Sequence, residues 1–263
     1  MPQLIVTAAN AAEQIELARA RANLAPHEQY RGCHPRKQTY GSIVDVRTSR
    51  FYFPPIPRSE WKRLIIAGKG TWLGDLTRGK LPVHDQDGTN YCWAHGSVRA
   101  VEALRVYEGQ TPLFLSPESV AVPVTGGRNR GGSPDEAIQQ LRTFGACDQL
   151  LWPENDLNER HAKSSWKTEA LNHVILRWID VFNFADQITL ALHRIPVAIG
   201  LGWWGHLVCQ LDPVILPDGS VGIGADNSWG ADYGDNGYFL LDEEHGTADL
   251  GAFAPISETF SLT

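Results

Sequence analysis

The sequence predicts an α+β fold, and three observations carry that reading. Apolar residues at 3- and 4-residue steps, the helical signature, are concentrated in the middle of the chain. Short apolar runs bounded by turn residues fill the last third. The two kinds of pattern are segregated and do not alternate as βαβ units would.

The elements follow in order. Residues 8–23, rich in Ala, Glu and Arg, favour helix. Pro54, Pro55 and Pro57 fit neither a helix interior nor a central strand, so residues 51–57 read as an extended crossing segment or linker. Residues 58–80 show no clear period. A helix is expected from about Cys92 to Tyr107, with Ala94, Val98, Val101 and Leu104 on its inner stripe and Gly109 as its stop. Ser133-Pro134-Asp135-Glu136 reads as a capping box opening a second helix, with Ala137, Ile138 and Leu141 inward and Gly145 closing it. A third runs from Asp186 to about Arg194, ahead of Pro196. Residues 195–201, 207–211, 221–224 and 237–241 read as strands, with turn chemistry over 212–219.

Composition narrows the function. The 263 residues suit one large or two small domains, and 43% apolar with 20% charged residues excludes wholesale disorder. A net charge of −7 without a basic run argues against nucleic acid as a partner. The N-terminus lacks a positive n-region, and no apolar run reaches the roughly 18 residues of a membrane span. The expectation is therefore a cytoplasmic or particle-associated protein with no membrane partner. Four cysteines, at 33, 92, 147 and 209 and without a C-x-x-C pair, are too few for a disulfide scaffold and do not form a zinc ribbon.

Three segments hold the candidate chemistry: Gln86 to Ala94, Trp203 to His206, and Asp226 to Gly230. A thiol at the start of a helix faces unpaired N–H groups and the positive end of the dipole, which favours thiolate, the nucleophilic form. Cys92 occupies such a place, although on position alone a buried, inert thiol is the commoner fate of a lone cysteine. Taken singly, His206, Asn227 and Gln86 are ordinary polar residues; their order and neighbours distinguish them.

Together the segments resemble the papain family of cysteine peptidases. The resemblance rests on Gln86 six residues before Cys92, the Cys92-Trp93-Ala94 triplet, Gly205-His206 before a strand, and Asn227-Ser228-Trp229-Gly230 with trailing glycines. Leu115-Ser-Pro-Glu118 and Arg130-Gly131-Gly132 through Ala137 extend it over roughly residues 81–245. It implies a papain-like two-lobed fold. A helical lobe of about 76–160 carries Cys92, an antiparallel β-rich lobe of about 161–263 carries His206 and Asn227, and the groove lies between them. It further implies a thiolate at Cys92 beside a protonated His206, Asn227 orienting the imidazole, and Gln86 with the Cys92 N–H forming an oxyanion hole. Trp229 would shield the His–Asn bond, and Gly131, Gly132, Trp203 and Trp204 would meet substrate. The implied substrate is a protein or peptide, and neither cofactor nor metal is implied. A peptidoglycan-type amidase or acyl transferase with the same triad, or an assembly component with an occluded site, are the alternatives.

The sequence departs from the family pattern in several places. The stretch before Cys92 lacks the usual paired cysteine. Leu201 and His206 are only five apart, so the right-hand lobe is expected to be trimmed, with Trp203 or Trp204 walling or plugging the space. Residues 212–224 suggest an enlarged hairpin. His95 stands where the family usually has an aromatic and is expected to be a satisfied core histidine. Residues 1–75 form an N-terminal extension, either pro-segment-like or an arm docking the 76–263 catalytic domain to a larger assembly.

Overall fold

A single seven-stranded sheet organises the molecule, in the order β1-β6-β5-β4-β3-β7-β2. The computed structural model describes residues 3–25, 28–36 and 53–256. The strands are β1 (Ile5–Val6), β2 (Arg177–Val181), β3 (Val197–Leu201), β4 (His206–Ile215), β5 (Val221–Asp226), β6 (Tyr238–Leu241) and β7 (Gly251–Ile256). All pairings are antiparallel except β1 with β6. Among the described residues the helices are α1 (Ala11–Arg21), α2 (Arg58–Ala67), α3 (Leu73–Thr77), α4 (Cys92–Tyr107), α5 (Glu118–Thr125), α6 (Pro134–Thr143), α7 (Trp166–Ala170), α8 (Phe184–Leu192) and α9 (Glu243–Gly246). Helices dominate the middle of the chain and strands its last third, as the sequence indicates.

Both faces of the central strands are covered, so those strands read as near-continuous apolar runs. Leu207, Cys209 and Leu211 of β4 join one core with Ala94, Val98 and Val101 of α4. Val208 points to a second core with Ile199, Trp204 and Phe239. Alternation along a strand makes this division automatic. The strand continues through Pro213, past a register shift between Gln210 and Asp212, where the sequence suggested a long turn. Proline is tolerated there because β3 pairs with β4 only over 206–210, leaving that edge without a ladder bond to lose.

The capping box forms as read: Ser133 Oγ accepts from the Glu136 N–H, and the Glu136 carboxylate accepts from the Ser133 N–H. Strands β2 and β7 and helices α2 and α3 were not legible as elements. Residues 1–75 supply β1, α1 and α2, which bury Val6, Ala18, Trp61 and Ile65 in the second core. They are thus built into the sheet layer. All four cysteines are buried and free, in keeping with the absence of a disulfide scaffold. Among the described residues, no helix is long and apolar enough to cross a membrane.

Helix α4 lies directly on β4 at Gly96. A Cβ there would sit 2.4 Å from Leu207 Cδ2 and 3.1 Å from the Val208 carbonyl carbon. The leucine tip can rotate, but the backbone cannot, so Gly96→Ala should cost about 1–3 kcal/mol by overpacking. Urea unfolding with an unchanged slope and a lower midpoint would report that loss.

Candidate functional site

The first turn of α4, the start of β4, the end of β5 and the 84–86 loop meet at one place. Cys92 is the first residue of α4 and is fully buried, its thiol bonded to the backbone of Leu207, next to His206. The His206 Nε2 and Asn227 Oδ1 atoms are 2.7 Å apart. Asn227 Oδ1 also accepts the Ser228 N–H at 2.8 Å, which fixes the amide so that its oxygen faces the imidazole. His206 Nδ1 has no hydrogen-bond partner among the described residues.

Ser228 also holds Gln86. Its hydroxyl donates to Gln86 Oε1 at 2.7 Å, and its carbonyl accepts the Gln86 N–H at 2.8 Å. With Oε1 occupied, Gln86 Nε2 is turned inward and donates to the Thr89 carbonyl and to the Tyr30 hydroxyl, at 2.6 and 3.2 Å. Gln86, Cys92, His206 and Asn227, scattered over 142 positions between Gln86 and Ser228, are therefore brought together.

The tryptophans lie differently from the expectation of groove contacts. Trp229 packs its ring 4.9 Å from that of His206. Trp204 lies 4.7 Å from His206 on another side, but it is a core residue: it stacks on Trp203 and donates its indole N–H to the Gln14 carbonyl of α1. The α1 backbone satisfies that polar edge and thereby turns the ring inward. Trp203 donates to the His245 carbonyl.

Residues 28–36, part of the N-terminal extension read from sequence as either pro-segment-like or a docking arm, run over this site as a strap. Cys33 N–H donates to the Gly205 carbonyl at 2.7 Å, His34 N–H to Gly132 at 2.8 Å, and Gly132 N–H to Gly32 at 3.1 Å. Gly131 and Gly132 thus do meet an extended backbone, and it belongs to this chain. A Cβ at Gly131 would fall 2.1 Å from the Arg31 carbonyl oxygen. The Tyr30 hydroxyl accepts from Gln86 and lies beside the Cys92 thiol, both of them against Gly32. At the far end, the Arg36 guanidinium pairs with Asp135 at 2.6 Å and Asp180 at 2.9 Å, both buried.

No family model matches the chain. It is 24% identical over 189 residues to the oryzain gamma chain of Oryza sativa subsp. japonica, covering 61% of this chain and 51% of that protein. It is 25% identical over 190 residues to thiol protease aleurain of Arabidopsis thaliana, at 61% and 52% coverage. The chain spans about half the length of these curated relatives. Among solved structures, xylellain, a cysteine protease from Xylella fastidiosa, superposes with TM-score 0.62 at 18% identity, over 89% of this chain and 99% of that one. Digestive procathepsin L 3 of Tenebrio molitor gives 0.56 at 14% identity, over 94% and 99%. The fold is papain-like. The relatives in sequence and the neighbours in structure are papain-like cysteine proteases, which agrees with the resemblance read from the motifs.

Within this site the electrostatics differ from the thiolate expectation. Burial, opposed only in part by bonds from the Leu207 backbone and Tyr30, pushes the Cys92 thiol up to about 12 from an ordinary 9. That displacement corresponds to ~4 kcal/mol against ionisation. A helix N-terminus contributes ~0.3–1 kcal/mol, at most about 2. Burial wins, and the covered cysteine is a neutral thiol. Burial likewise lowers His206 to about 4, its bond to Asn227 notwithstanding. The closed site therefore holds an uncharged pair. Because thiolate accumulates only as pH approaches the raised value, iodoacetamide alkylation of Cys92 in the full chain should keep rising through the alkaline range. A plateau near neutral pH, measured by mass of the Cys92 peptide, would contradict this reading.

Proposed function

We propose that this chain is a papain-like cysteine peptidase held closed by its own residues 28–36. Cys92 Sγ attacks the carbonyl carbon of a peptide bond, and His206 carries the thiol proton to the departing amine. The acyl group then sits on Cys92 as a thioester. His206 next takes a proton from water, whose oxygen displaces the thiol and releases the acid. Asn227 keeps the imidazole in line. Gln86 Nε2 and the Cys92 N–H receive the negative oxygen of each tetrahedral intermediate.

One observation carries this reading: the Tyr30 hydroxyl accepts the Gln86 Nε2 hydrogen bond and lies beside the Cys92 thiol, both of them against Gly32. A single oxygen there occupies the position that a substrate carbonyl oxygen needs. Tyr30 offers a phenol and no carbonyl carbon, so the strap fills the site without presenting a bond to cut. The glycine contacts support the same reading, since a substrate backbone would need the Gly131–Gly132 edge that residues 31–34 cover.

Opening must be local. Strand β1 is bonded to β6, and Gln14 of α1 accepts from both Trp204 and Tyr233. Loss of all of residues 1–75 would strip Val6, Ala18, Trp61 and Ile65 from the second core, whereas displacement of 28–36 would remove only Tyr30 from it. The strap thus acts in the manner of a pro-segment while its flanks remain structural.

Labelling with an epoxide inactivator tests the proposal. Tyr30→Ala, or a Gly/Ser replacement of residues 28–36 at equal length, should speed adduct formation at Cys92 at least about tenfold, the effect of ~1.4 kcal/mol from one lost buried hydrogen bond. Cys33, Cys147 and Cys209 should stay unlabelled, and His206→Ala should abolish the reaction. If the opened variants fold but all four thiols react only after denaturation, the site is an inert remnant. In an opened variant, Gln86→Ala should lower kcat/KM on a fluorogenic peptide by about 10²–10³.

A further inference from the structure

A second cluster of chemistry lies behind the Gln86 loop, apart from the thiol. His84, His95 and Glu154 each offer one ligand atom, and the three atoms lie within 4.8 Å of one another. His84 is two residues before Gln86, His95 is in the first turn of α4, and Glu154 is in the turn after Trp152. Both histidines are buried, and Glu154 is the partly open member.

His95 does not behave as the satisfied core histidine expected from sequence. Neither of its ring nitrogens has a hydrogen-bond partner among the described residues, although the residue is fully buried. Such a ring is costly unless something fills its lone pair. Its Nδ1 stands 3.7 Å from Glu154 Oε1, and its Nε2 stands 3.8 Å from Glu118 Oε1. Each distance is too long for a hydrogen bond. Glu154 Oε1 is also bonded to His84 Nδ1. The opposite nitrogen, His84 Nε2, lies 3.1 Å from Glu102, which is itself held by Arg99 at 2.9 Å and by the Leu115 N–H at 2.7 Å.

This is the layout of a metal centre with its supporting layer. A tetrahedral zinc ion with bonds of about 2.0–2.1 Å places its ligands about 3.4 Å apart. Histidine ligands characteristically have a carboxylate on the other ring nitrogen, which fixes tautomer and orientation. Glu102 does this for His84, and Glu118 is placed to do it for His95. Two imidazoles and a carboxylate select a divalent transition ion over calcium or magnesium.

We propose that His84 Nδ1, His95 Nδ1 and Glu154 Oε1 bind one zinc ion, with water at the fourth position on the side where Glu154 reaches solvent. The ion would take the place of the proton shared by His84 and Glu154. It would tie the segment carrying Gln86 to the first turn of α4 and to the 153–155 turn. The role is structural, and it holds whether or not the thiol site is active.

The test must separate this site from the thiol, because a cysteine–histidine pair also takes zinc. The full chain carrying Cys92→Ser, made without a histidine tag and stripped with chelator, is titrated with Zn²⁺ by calorimetry. One equivalent should bind and raise the melting temperature, while Mg²⁺ and Ca²⁺ should do neither. Co²⁺ should give visible d–d bands of a tetrahedral site without a thiolate charge-transfer band; this readout needs no change at the ligands. His95→Phe should weaken binding more than 100-fold, and Glu102→Gln, acting through His84, about 10–100-fold. Both variants are scored only if they unfold cooperatively without metal. Absence of zinc binding to the Cys92→Ser chain, equal stabilisation by Mg²⁺, or binding undiminished in folded His95→Phe would each overturn the proposal.

Discussion

The close packing of α4 on β4 is the constraint on which the site depends. Cys92 opens the helix and His206 opens the strand, so their separation is set by how nearly the two backbones approach. Gly96 permits that approach one turn below Cys92, against Leu207 and Val208. Everything else on the site is fixed relative to this pair. The antiparallel β5 places Cys209 opposite Asp226, and the chain beyond delivers Asn227 to His206. Ser228, one residue further, then locks Gln86 through two hydrogen bonds. A buried helix can serve as this pivot because both faces of the sheet are covered and neither element can slide without opening a core.

The strap changes the chemistry of the pivot through desolvation. A papain-like nucleophile needs charge separation between thiol and imidazole, and charge separation needs water or fixed dipoles. With residues 28–36 in place, Cys92 and His206 are both shut away and both neutral. The same contacts that cover the proposed groove thus also disfavour the ionised form of the proposed nucleophile. The strap is held by backbone pairing at Gly132 and Gly205 and by Arg36 between two buried aspartates. Its grip is distributed along its length, while its effect on catalysis is concentrated at the Tyr30 hydroxyl.

Local chemistry was legible in the sequence, and long-range closure was not. The capping box at Ser133 shows itself because donor and acceptor are three residues apart. Gln86, Cys92, His206 and Asn227 show themselves because their immediate neighbours form recognisable strings. Helix α2 was missed because only Trp61 and Ile65 are buried on it, too few for a clear period. Strand β7 was missed because Gly251, Ala252, Ala254 and Pro255 carry little β propensity; its place between β3 and β2 makes it a strand. Tyr30 gave no signal at all. Its partners lie 56 and 62 positions away, and only the folded chain shows that a phenol fills the site. The raised Cys92 thiol was invisible for the same reason: a helix start is visible in sequence, and burial by a distant segment is not.

Gln86 is where these separate constraints converge. Its amide is oriented from one side by Ser228, which follows the residue bonded to His206, so the proposed oxyanion donor and the proposed base share one support. From the front it meets Tyr30. From behind, its segment is fixed by His84, whose carbonyl accepts the Gly230 N–H and whose ring is bonded to Glu102 and Glu154. A displacement of His84 toward or away from α4 would therefore be transmitted over two residues to the Nε2 donor. Oxyanion donors act through fixed position, and a donor that drifts must spend reaction free energy on being reoriented. The buried polar cluster behind the loop is consequently part of what keeps Gln86 in place.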